Sequence, residues 1–133
     1  MEIIRYDEGT WVFEIDPSHA PEYIMIKITG MIEPSRLEEL FQKLLDIMDE
    51  IVGTGQVFCP LIYDVREGRP DKITIPTFMK IFPQMTRRLS RLYIAISPEQ
   101  EGTDFFIDFI KMMASMNRKM NIVSSLEEAL EQL

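Results

Sequence analysis

One histidine and one cysteine are all that this chain offers for imidazole or thiol catalysis. His19 stands in the turn-forming run Asp16-Pro-Ser-His-Ala-Pro21, and Cys59 directly precedes Pro60. A nucleophile needs a base within hydrogen-bond reach, and neither residue has a nucleophile motif around it. A solvated turn histidine and a small buried thiol are the expected roles. A zinc site needs cysteines and histidines at short spacings, which the chain lacks. The acids Glu38, Glu39, Asp46, Asp49 and Glu50 fall on the polar side of one helical pattern, where water satisfies them. Gly53-Thr54-Gly55 lacks the lysine and the spacing of a phosphate-binding loop. The sequence therefore predicts no catalytic residue, no metal site and no cofactor.

Binding chemistry is easier to find. The chain carries a formal charge of −8, yet residues 66–91 hold seven basic side chains against two acids, which leaves the remainder at −13. Arg66, Arg69, Lys72, Arg87, Arg88 and Arg91 are close enough in sequence for some to share a surface, facing an anionic partner or the domain's own acidic helices. Phe78, Ile81, Phe82 and Met85 form a stripe at helical spacing, widened by Ile75 and Met79. Such width means deeper burial, a partner, or the wall of a ligand cavity. Asp64 closes an apolar run, either at the carboxyl edge of a sheet, where open α/β folds bind ligands, or as a brace for the following loop. The candidate binding residues are thus Asp64, Arg66, Arg69, Thr74, Phe78, Phe82, Arg87 and Arg88.

At 133 residues the chain is the size of one domain and can bury a core without staples. No apolar run approaches the length of a membrane span, so no integral membrane association is expected. The start Met1-Glu2-Ile3-Ile4-Arg5 lacks a basic leader before an apolar stretch, and a single cysteine excludes an internal disulfide, so a cytoplasmic location is predicted. An acidic chain is poorly suited to general nucleic-acid binding. Ten methionines suit irregular core gaps or adaptable surfaces.

These residues must be positioned by alternating elements. Residues 10–16 and 23–29 read as strands joined through turn chemistry, with an edge strand over 3–6. Ser35 and Glu38 have capping-box spacing before Leu37, Leu40, Phe41, Leu44, Met48 and Ile51, a helix ended by Gly53 and Gly55. Residues 61–65 and 92–96 read as buried strands. A helix over 75–88 starts at Thr74 and carries Pro83 mid-pattern, predicting a kink or a break. Thr103 caps a helix with Phe105, Phe106, Phe109, Ile110, Met113 and Met116, followed by a strand over 120–123 and a helix capped by Ser125 and Glu128. Right-handed crossovers then imply an α/β fold: a mixed, mostly parallel sheet with an N-terminal antiparallel hairpin and about four helices.

Two local features accompany that order. Leu61-Ile-Tyr-Asp64-Val65 resembles the central strand that ends in an aspartate before the functional loop of SpoIIAA-like proteins. The tail Met120-Asn-Ile-Val-Ser-Ser-Leu-Glu-Glu-Ala129-Leu130-Glu-Gln-Leu133 looks like that family's last strand and its ser-x-glu-glu-ala helix. Over nearly its whole length the chain resembles the STAS-like fold of that family. The loop Arg66-Glu-Gly-Arg-Pro-Asp-Lys-Ile73 has no serine or threonine, the first hydroxyl being Thr74. The likeness is therefore to a divergent branch without the phosphorylatable serine, which includes proteins suspected of binding lipids. It implies a non-enzymatic binding or regulatory module acting through residues 64–91 on a protein partner or a second copy of itself. The alternative is a carrier or sensor of a small apolar or anionic amphiphile, held under the helices at 75–88 and 103–117 with Arg87 or Arg88 on its head group.

Overall fold

In the computed structural model, residues 2–53, 59–70, 74–97 and 104–133 are described. Three strands open the chain: β1 (Ile4–Asp7), β2 (Trp11–Asp16) and β3 (Ile24–Gly30). Helix α1 (Pro34–Gly53), β4 (Cys59–Gly68), α2 (Ile75–Thr86), β5 (Leu89–Ala95), α3 (Asp104–Met116), β6 (Met120–Val123) and α4 (Leu126–Glu131) follow. The six strands form one sheet in sequence order. β1 to β3 pair antiparallel, and β3 to β6 pair parallel. The expected α/β architecture, with its antiparallel start and four helices, is what the chain adopts.

A sheet whose parallel strands follow one another in order puts successive right-handed crossovers on one face. The main core reflects this: Leu61, Tyr63, Leu92 and Ile94 share a cluster with Leu40 and Leu44 of α1, Phe78 and Met85 of α2, and Phe106 and Ile110 of α3. α4 ends the pattern. It lies on the opposite face, where Ala129 packs with Ile62, Tyr93, Ala95 and Val123. The parity of the pleat separates the two sets, because neighbouring strand residues point to opposite sides.

Several boundaries moved for local reasons. α1 begins at Pro34, whose ring suits the first helical turn, so Ser35 is inside the helix and does not cap it. The first bond runs from the Leu37 N–H to the Glu33 carbonyl, and Glu38 accepts instead from the Lys80 ammonium. Thr74 sits at the N-cap of α2 with an α-region backbone and no side-chain cap. Pro76 removes one of the amide donors that a cap would satisfy. α2 runs continuously through Pro83. β4 is ten residues long and β5 starts at Leu89, so both strands exceed the expected apolar runs. Ser125 does cap α4, accepting from the Glu128 N–H at 3.1 Å, while the Glu128 carboxylate reaches the Ser124 N–H and hydroxyl at 2.9 Å. Thr103, Lys72 and Gly55 lie outside the described residues.

Gly30 closes β3 with a φ of +76°, and a Cβ there would stand 2.3 Å from the Thr10 carbonyl oxygen. Only glycine allows that approach, which lets the chain leave the sheet towards α1.

Candidate functional site

The residues nominated from sequence do not converge on one site: Asp64 pairs with Arg66, and the buried Thr74 lines a small space together with Phe78, away from Arg87 and Arg88. Phe78 and Phe82 are both buried, at 2% and 4% exposure. Phe78 is the hub of a ring cluster, with centroids at 5.3 Å from Phe82, 5.8 Å from Phe109, 6.0 Å from Phe106 and 6.4 Å from Tyr63. The stripe of Phe78, Ile81, Phe82 and Met85 is covered by the domain itself, so neither ring is available to a partner, while Met79, which widens the stripe, is 55% exposed.

Asp64 is not at the strand end, because β4 continues to Gly68. Its buried carboxylate accepts from the Arg66 N–H at 3.1 Å, Nε at 3.0 Å and Nη2 at 3.1 Å. That bidentate pair braces the α4 side of the sheet. Arg88 likewise meets an acid, with Nε at 2.6 Å and Nη2 at 3.2 Å from the Asp49 carboxylate on α1. Its guanidinium holds the Asp49 carboxyl below its ordinary value. Arg69 and Arg87 are exposed, at opposite ends of β4. A strand of ten residues spans about 30 Å, so Arg66 and Arg69 share no surface with Arg87 and Arg88.

The catalytic candidates also stay apart. His19 stacks on Tyr23 at a centroid distance of 4.7 Å, and Tyr23 packs on the α4 side of the sheet. Cys59 is buried in the core on the other side, where burial pushes its thiol pKa up and away from thiolate chemistry.

Beneath α2 and α3, where the alternative reading puts a ligand cavity, Ile28, Val65, Tyr63, Thr74, Phe78 and Phe106 border about 20 Å³. That is room for one water. Burial alone raises the pKa of the Tyr63 phenol.

The larger opening lies on the far side of α3. α3 packs on one face of the sheet and α4 on the other. A crevice opens between the two helices at the carboxyl ends of β5 and β6. Open α/β sheets place ligands outside the carboxyl ends of their strands. The crevice encloses about 480 Å³, within the range of small-molecule sites. Ile96 and Val123 form a buried floor, and Ile107 and Ile122 are half-buried beside them. Asp104, Asp108 and Lys111 of α3 line it opposite Ser124 and Glu128. Glu128 is held ionised by the Ser124 backbone N–H first and the Ser124 hydroxyl second, which lower its pKa.

No protein-family model matches this chain, and no curated protein matches it.

Among the described residues, three carboxylates against one ammonium give the crevice an acidic rim over an apolar floor. The sequence held a signal for it. Asp104, Ile107, Asp108 and Lys111 stand at steps of three and four and so share one side of α3. The phenylalanines of that helix mark its core side instead, with Phe106 and Phe109 buried, while Phe105 is 67% exposed.

Proposed function

We propose that this domain is a non-catalytic binding module whose ligand is a small amphiphile with a cationic head, held in the crevice between α3 and α4. The observation that carries the reading is the crevice itself: an apolar floor of Ile96, Ile107, Ile122 and Val123 under the carboxylates of Asp104 and Asp108, at the carboxyl edge of a parallel sheet. An alkyl chain on the isoleucines removes apolar surface from water, and an ammonium at the rim answers the carboxylates. An anionic head group would meet repulsion here. Arg88 is occupied by Asp49, and Arg87 lies at the opposite edge of the sheet. The order of strands and helices also supports placing the domain with STAS-like binding and regulatory modules.

The test is methyl NMR of the whole chain titrated with a medium-chain alkylamine and, separately, with the alkylcarboxylate of the same length. The amine should shift the Ile107 and Ile122 methyls, and Ile107→Trp, which fills the crevice, should abolish the shifts. Equal response to the carboxylate, or shifts scattered away from these isoleucines, sinks the proposal.

A further inference from the structure

The opposite edge of the sheet has the reverse character. The turn from α2 into β5 and the turn from α3 into β6 are fastened together there. The Lys119 ammonium donates to the Thr86 carbonyl at 2.8 Å and the Leu89 carbonyl at 3.2 Å. The Leu92 N–H donates to the Lys119 carbonyl at 2.7 Å, which sets Arg91 beside Lys119. The Lys119 N–H is turned back onto the Asn117 side chain at 2.9 Å, which places Arg118 in a tight turn directly after α3. Arg87, Arg91, Arg118 and Lys119 are all exposed on this edge. Arg88 adds a fifth cation and, among the described residues, is the one engaged by an acid, Asp49, with Asp46 nearby on α1.

Apolar side chains stand in the same place. Met116, in the last turn of α3, is 70% exposed, and Met112, one turn earlier on the same stripe, is 51% exposed. A long, flexible, unbranched side chain left in water next to a cationic collar costs stability unless something covers it.

The geometry points to this edge as a docking surface for an anionic lipid bilayer. The cations meet the lipid head groups, and Met112 and Met116 enter the interface between head groups and acyl chains. Charge complementarity selects the occupant. With a formal charge of −8 on the whole chain, the remainder of the domain is repelled by the same surface, and that repulsion turns the basic edge towards it. A soluble acidic protein would use the cations but leave the methionines without a role.

Co-sedimentation of the whole protein with vesicles tests this. One set is phosphatidylcholine alone, and the other carries about a third phosphatidylserine at about 0.15 M salt. Each exposed cation near such a surface strengthens partition about fivefold, so Arg87→Gln with Arg118→Gln should weaken it about 25-fold. Met116→Ser should weaken it on the order of tenfold. Lys80→Gln, which removes a cation paired with Glu38 elsewhere on the domain, should leave partition unchanged. Raising the salt should release the unaltered protein, a readout that needs no variant. Equal partition onto both vesicle types, or wild-type partition of the double variant, overturns the inference. Salt-sensitive binding to heparin without preference for phosphatidylserine vesicles also overturns it and assigns the edge to a soluble polyanion.

Discussion

Phe78→Ala separates a core role from an interface role for α2. The ring is 2% exposed and touches four other aromatic rings, those of Tyr63, Phe82, Phe106 and Phe109. Truncating a buried phenylalanine costs about 3–5 kcal/mol, the sum of lost transfer energy and the cavity left behind. Here the upper half of that range applies. Edge-to-face pairs contribute about 0.5–1.5 kcal/mol each beyond burial, and two of the four contacts are edge-to-face. The ring also borders an existing void, so the new space adds to it. A loss of about 4–5 kcal/mol is a large part of the roughly 5–15 kcal/mol that holds a domain together. With a urea m-value of about 2 kcal/mol per molar, the midpoint should fall by about 2–2.5 M. Circular dichroism on a urea series reads this directly, and sedimentation run alongside reports oligomeric state. A midpoint shift under about 0.5 M, or a change of oligomeric state at unchanged stability, would refute the placement of Phe78 as the centre of the core.

Two further outcomes follow from the ion pairs and caps. Asp64→Asn leaves the Arg66 guanidinium without its carboxylate, and because that side chain keeps 31% exposure, water recovers part of the loss. The expected cost is about 2–3 kcal/mol, below the 3–5 kcal/mol of a fully buried pair; a urea midpoint within error of the unaltered protein would show that the brace carries nothing. Glu128 has a pKa below its ordinary 4.5 in the folded state, through the Ser124 N–H and hydroxyl. A depressed folded pKa stabilises the fold above pH 4.5, and that contribution is lost as the pH falls through the folded value. Melting temperatures of Glu128→Gln should therefore fall less steeply below that pH than those of the unaltered protein, and parallel curves would contradict the cap.

Much of the fold was legible because strands and helices are set by local periodicity. Ile24, Ile26 and Ile28 alternate, Leu37, Leu40, Phe41 and Leu44 recur at three and four, and both patterns bury the faces they mark. The Ser125 cap was equally plain, since a cap is a contact between residues three apart. Residue spacing does not report what covers an apolar face. The stripe of Phe78 and Phe82 is compatible with core, partner or cavity until Tyr63, Phe106 and Phe109 are brought onto it from other elements. The basic run over 66–91 is continuous in sequence, yet β4 and α2 carry its two ends to opposite edges of the sheet. Pairs such as Arg88 with Asp49 and Lys119 with Thr86, 39 and 33 residues apart, exist only once the strands have their order. The crevice is the clearest case. Its walls belong to α3, β6, α4 and the two residues after β5, and it exists because α4 lies on the other face of the sheet from α3. Which face a helix covers depends on the pleat parity of the strands it packs against, a property of the assembled sheet and not of any one segment.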